Sequence, residues 1–139
     1  MHNMTEDDNN TNRTVTRWFV DLKWYSQRER AITALLQSCL CDACRKKLSK
    51  GSSPPSDSEL IDRLRECCQN STGFITGQRP LLESIFRFLI ASGNEPLTVA
   101  ELARQLSERR SGDASRTSEE TLLRLLKNDR YYGFRPVAD

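Results

Sequence analysis

"PLTVAELARQLSER", residues 96–109, decides how this chain is read. Thr98 and Glu101 stand three apart at the head of the apolar positions Val99, Leu102, Ala103 and Leu106. A Thr hydroxyl can accept the N–H three residues on, while the Glu reaches back to the first N–H, so two orphan donors of a helix start are satisfied. The apolar spacing that follows is near 3.6, the period of a helix with one buried face. The same pattern recurs at Ser26–Glu29, Ser56–Glu59 and Thr117–Glu120, each opening an apolar run. Four such starts in 139 residues predict a mainly α-helical protein.

Ser26 opens a helix from about Gln27 to Cys39, with Ile32, Leu35, Leu36 and Cys39 on one stripe. Ser56 opens one from about Asp57 to Cys68, with Leu60, Ile61, Leu64 and the Cys67/Cys68 pair on its stripe. Between them, residues 49–56 form a Ser/Pro/Gly-rich linker. Residues 71–78 read as a loop held down by Phe74 and Ile75. Pro80 suits the first turn of a helix that uses Leu81, Leu82, Ile85, Phe86, Leu89 and Ile90 and stops at Ser92-Gly93-Asn94. After the helix capped by Thr98, a polar loop over 109–116 leads to "RTSEETLLRLLKND", residues 116–129, with Leu122, Leu125 and Leu126 apolar. Tyr131–Val137 is strand-like by β-propensity. The chain divides into a disordered tail (1–13), a helical cysteine-rich part (14–77) and a C-terminal helical part with a short β element (78–139).

The order helix, short extended link (Glu95-Pro-Leu97), helix, loop, helix, strand resembles a winged helix-turn-helix. "PLTVAELARQLSER" looks like its second helix and "RTSEETLLRLLKND" like its third. The resemblance implies DNA binding, with the third helix in the major groove. Glu120, Arg124 and Lys127 would share the exposed face of that helix, while Arg116 precedes it and Arg130 follows. These cations, with Arg109 and Arg110 in the preceding loop, are placed to meet phosphates. Glu119 and Glu120 depart from a DNA reader: they complement the helix dipole and repel a duplex. The nine residues after Arg130 leave room for one strand, expected to pair with the segment at Leu97, so the wing is cut short.

Five cysteines stand in two groups, Cys39, Cys41 and Cys44, then Cys67 and Cys68. Cys41-Asp-Ala-Cys44 has zinc-knuckle spacing, in which two thiolates converge on one ion through a tight turn. A four-thiolate zinc site carries a net charge of −2, which Arg45, Lys46 and Lys47 would offset while favouring the thiolates. Cys67 and Cys68 are the expected partners, provided residues 43–50 run back along the first helix and the second returns to the knuckle. Two adjacent ligands on one helix point about 100° apart, so the helix must end or unwind there, and Gln69-Asn70-Ser71-Thr72-Gly73 suits that. Cys39 continues the apolar stripe as a core thiol, or substitutes in a set of Cys39, Cys41, Cys44 and one later cysteine. The bland reading is five buried structural thiols. An iron–sulfur cluster would also take four thiolates, although the spacing matches no ferredoxin run. A thioredoxin-like redox pair is disfavoured because Cys-x-x-Cys here follows a helix rather than a strand.

Net charge is +2 and mean hydropathy −0.64. Residues 16–50 carry a surplus of five positive charges. No apolar run is long enough for a membrane span, and the N-terminus has no apolar signal core, so the expectation is a cytoplasmic protein without disulfides. "RWFVDLKWY", residues 17–25, interleaves cations with aromatics; Trp18, Leu22 and Tyr25 share a helical face, which reads as a core anchor rather than a base-stacking strip. His2 is the single histidine and no Gly-rich phosphate loop is present, so no catalytic set or small-molecule substrate is indicated. The expected function is a small nucleic-acid-associated, transcription-factor-like module with structural zinc. The alternative is a protein-interaction adaptor within a transcription or translation assembly.

Overall fold

A computed structural model describes residues 16–28, 31–51, 53–110 and 118–137. The tail 1–13, Arg116, Thr117 and Glu29 lie outside the described residues. The protein is mainly helical, with one small antiparallel sheet. The elements in order are β1 (Arg17–Val20), α1 (Leu22–Gln27), α2 (Thr33–Ser38), α3 (Asp42–Ser49), α4 (Asp57–Glu66), a 3₁₀ turn (Cys68–Asn70), α5 (Leu81–Ala91), β2 (Leu97–Thr98), α6 (Val99–Arg109), α7 (Glu119–Lys127) and β3 (Phe134–Val137).

The capping boxes at Ser56 and Thr98 are formed on both sides. Glu59 N–H donates to Ser56 Oγ at 3.1 Å and Ser56 N–H to Glu59 Oε1 at 2.9 Å. Glu101 N–H donates to Thr98 Oγ1 at 3.1 Å and Thr98 N–H to Glu101 Oε1 at 2.9 Å. Two other expected starts are corrected. Ser26 lies inside α1, because Asp21 caps that helix five residues earlier through Lys23 N–H. Gln27 ends α1, and of the expected Gln27–Cys39 helix only Thr33–Ser38 is formed among the described residues, as α2. At α7 the cap is Ser118, which accepts from Thr121 N–H at 3.1 Å.

The sheet order is β2-β1-β3. β1 is a strand where a helical face was expected. Trp18 and Val20 are buried while Arg17 and Phe19 are half-exposed, the alternation of a strand with one covered face. The anchor reading of the aromatics nevertheless holds, since Trp18, Trp24 and Tyr25 are all buried; Leu22 is exposed. β3 pairs with β1, Phe134 opposite Val20, and β2 pairs with the other edge of β1, so the expected β3 pairing with Leu97 does not occur. β1, from near the N-terminus, fills the place between the two strands of the C-terminal part. Pro136 sits opposite Trp18 in the edge strand β3, where a missing N–H is tolerated.

α5 is the central element. Ser84 through Ala91 are all buried, as a helix apolar on nearly every side must be. It stops at Gly93 (φ 97°) and Asn94 (φ 57°), left-handed positions of a helix C-terminus. Asn94 then serves β1 as a strand neighbour would. Its Oδ1 accepts Val20 N–H at 2.9 Å and its Nδ2 donates to Val20 O at 2.8 Å.

Candidate metal centre and cationic groove

α2 and α4 are tied at both ends. At their starts Thr33 Oγ1 donates to Asp57 Oδ1 at 2.6 Å. Past their ends Cys41 N–H donates to Cys68 Sγ at 3.2 Å. The two helices therefore run the same way and deliver Cys41 and Cys67–Cys68 to one place. α3, absent from the sequence reading, carries the chain back. Its signal was present: Asp42 in the first turn and Lys46 and Lys47 in the last complement the helix dipole. Cys41 is the N-cap of α3, so Cys-x-x-Cys opens a helix as well as following α2.

The sulfurs of Cys41, Cys44 and Cys68 all lie within 4.8 Å of one another. Cys67 Sγ stands 3.9 Å from Cys41 Sγ and also lies against Cys44. Two ligands 2.3 Å from a tetrahedral zinc are about 3.8 Å apart, so Cys41, Cys44 and Cys68 lie close enough to hold a metal ion, with Cys67 outside that mutual set and beside Cys41. The adjacent pair can serve one site because α4 ends at Glu66: Cys67 leaves helical backbone (φ −131°, ψ −60°) before the 3₁₀ turn begins. Cys44 and Cys68 are buried, Cys41 is half-buried and Cys67 is exposed.

Cys39 stays outside this group. It is a buried core thiol facing Arg87, Ser38 and Glu83, and burial pushes its pKa up. Within the group the thiols differ. The Cys44 backbone N–H, aimed at Cys41 Sγ from the first turn of α3, lowers the Cys41 pKa to about 7. Hydrogen bonding to Cys44 and Cys41, with the repulsion of their charges, pushes Cys67 up to about 11. Desolvation raises Cys44 and Cys68. A cation is what such a crowd of thiols requires before all can ionise together.

Arg87 braces the floor beneath. Its side chain is buried; Nε binds Glu83 at 3.0 Å, while Nη1 and Nη2 donate to Phe74 O and Ser38 O at 3.3 Å. Arg79 reaches the same Glu83 oxygen at 3.0 Å and donates to Gly73 O at 2.8 Å. One ion cluster thus joins α2, the 71–79 loop and α5 below the cysteines. The sequence reading missed it, since a lone Arg in an apolar helix carries no sign of its partners.

The expected phosphate-binding cations separate into two sets. Arg124, Lys127 and Arg130 are exposed and have no ion-pair partner among the described residues. Lys127 and Arg130 line a groove of about 480 Å³ together with Trp18, Trp24, Arg28 and Arg135. Arg45, on α3, lines a different cavity with Arg79 and Arg87; it also donates to Leu40 O at 3.1 Å and pairs with Asp42 at 3.4 Å. Lys46 and Lys47 are exposed on α3. Two other cations are not loop residues free for phosphate. Arg109 ends α6 with its guanidinium 5.0 Å from the Phe88 ring, and Arg110 is buried, donating to Gly77 O and Arg79 O. Arg28 and Arg135 were missed because only β1–β3 pairing brings α1 and the end of the chain to the end of α7.

Among the described residues no helix is long and apolar enough to cross a membrane. Comparison with protein-family models, with curated proteins and with solved structures finds no match to this chain.

Proposed function

We propose that this protein is a nucleic-acid-associated binding module, transcription-factor-like, whose N-terminal helices are pinned by one structural zinc. The observation that carries the binding reading is the row Arg124, Lys127 and Arg130 along and just beyond α7, which have no ion-pair partner among the described residues. Surface cations with no carboxylate partner release counterions when phosphates replace their ionic atmosphere. The succession α5, β2, α6, α7, β3 supports a winged-helix likeness, with α7 in the place of the recognition helix. The zinc reading rests on three mutually close thiols with Cys67 beside Cys41, and on N–H donors to two of the sulfurs. A closed site of that kind stabilises and leaves no open position for catalysis.

The test is anisotropy with random-sequence nucleic acid, single-stranded and duplex, between 50 and 200 mM salt. Engagement of three phosphates gives a log–log slope of about −2 to −3. Absence of binding to either form at 50 mM salt refutes the reading. A second reading, a protein-docking adaptor, is favoured by Glu119 and Glu120, both exposed in the first turn of α7 where a DNA reader meets base edges. It predicts a co-purifying protein and no salt-dependent nucleic-acid affinity.

A further inference from the structure

The groove at the end of α7 has a chemistry that α7 alone lacks. Four cations surround it: Lys127 and Arg130 from α7 and its exit, Arg28 from the end of α1, and Arg135 from β3. All four are exposed. The one carboxylate in its lining, Asp129, is already used. Its oxygens accept the backbone N–H groups of Tyr131, Tyr132 and Phe134 at 3.0–3.3 Å. Arg135 is held only loosely, 3.6 Å from Asp21, and Arg28 lies 5.0 Å from the centre of the Trp24 ring. The apolar part of the lining is the exposed Pro136 and the small accessible parts of Trp18 and Trp24, which are otherwise buried. Trp18 brings a further unmet need: its buried indole N–H has no acceptor among the described residues.

The ligand that suits this lining is anionic at one end and flat and apolar at the other. At about 480 Å³ the groove is larger than one phosphate requires and lies within the range of small-ligand sites, roughly 300–1,000 Å³. A nucleotide has that shape and charge. In a duplex the base is paired and stacked, and only the phosphates are offered; in a single strand the base is free to enter a concave site. We infer that this groove binds a nucleotide of single-stranded nucleic acid, its phosphate among Arg28, Lys127, Arg130 and Arg135 and its base toward the indole-lined wall. This rests on the nucleic-acid reading above and narrows it from nucleic acid in general to single strands.

The test uses the full chain and a labelled 12-nucleotide mixed-sequence DNA, as a single strand and as the blunt duplex, at 50 mM salt. The two tryptophans of the chain both line the groove, so intrinsic emission reports its occupancy. The single strand is expected to bind at least about tenfold tighter than the duplex and to change tryptophan emission. The pair Arg28→Ala and Arg135→Ala, neither on α7, is expected to weaken the single strand about tenfold and to leave duplex affinity within about twofold. Duplex affinity equal to that of the single strand, unchanged emission, or an indifferent double variant overturns the inference while the broader reading stands. An acidic, tryptophan-containing peptide that displaces the strand at equal concentration overturns it in favour of a protein partner. Absence of binding to either DNA form removes both readings together.

Discussion

Replacing Cys68 by serine separates a metal centre from a cluster of buried thiols. Cys68 is fully buried, accepts the Cys41 N–H, and is one of the three sulfurs within 4.8 Å of each other. Structural zinc in small domains is bound by about 10–16 kcal/mol, or about 2.5–4 kcal/mol for each of four ligands. Losing one thiolate should then weaken zinc about 100- to 1,000-fold, at 1.4 kcal/mol per tenfold. With free zinc buffered at about 1,000 times the native Kd, the native protein gains about 4 kcal/mol from the metal and the variant only about 0.4–1.4 kcal/mol. At about 4 °C per kcal/mol for a chain of this size, the gap in metal-dependent Tm is about 10–15 °C. The assay is thermal melting in metal buffer, with elemental analysis of each protein. Cys39→Ala is the control and should keep one equivalent of zinc, since Cys39 faces Arg87 and Glu83 instead of the cluster. Thiol titration adds a second readout: with the metal chelated and the fold intact, half-buried Cys41, whose pKa is lowered to about 7, reacts first, and buried Cys39, Cys44 and Cys68 lag. A native melt indifferent to chelator, or a Cys68→Ser protein that keeps native zinc affinity, refutes the four-thiolate reading.

Arg87→Met leaves Phe74 O and Ser38 O without their donor and Glu83 with Arg79 alone; a loss of about 2–3 kcal/mol in urea denaturation is expected, and a loss under 0.5 kcal/mol contradicts the brace. Gly133→Ala forces a side chain onto φ 75° and places its Cβ 3.0 Å from Trp24 Cε3, so about 2 kcal/mol should be lost, with Trp24 emission altered; an unchanged midpoint contradicts the close approach. Thr98→Ala removes one half of the α6 capping box and should cost about 1 kcal/mol, measured as a fall in denaturation midpoint. Burial holds the Tyr132 phenol pKa above its ordinary value of 10. The unfolded chain therefore releases that proton first, so the contribution is intact below pH 10 and fades as pH climbs through the folded pKa. Tyr132→Phe should flatten the alkaline decline, and an identical profile would count against desolvation of the half-buried phenol.

The local features of this protein are legible in residue order. The starts of α4 and α6, the stop of α5 at Gly93-Asn94, the termination of α4 at the cysteine pair and the Cys-x-x-Cys turn each depend on contacts within a few residues, so their signals are printed in order along the chain. Even there, competition between neighbours was illegible: Asp21 caps before Ser26 can, and α3 forms where a return segment was expected. Which partners meet depends on packing between distant segments. β1 joins β2 and β3 because the buried faces of Trp18 and Val20 need cover, a pairing between opposite ends of the chain that no local spacing encodes. The same holds for the ties at Thr33–Asp57 and Cys41–Cys68 that gather the thiols, for the Arg87 brace, and for the meeting of Arg28, Lys127, Arg130 and Arg135 around one groove. Burial and polar satisfaction are properties of the packed whole. A sequence shows which groups need partners, and the fold selects them.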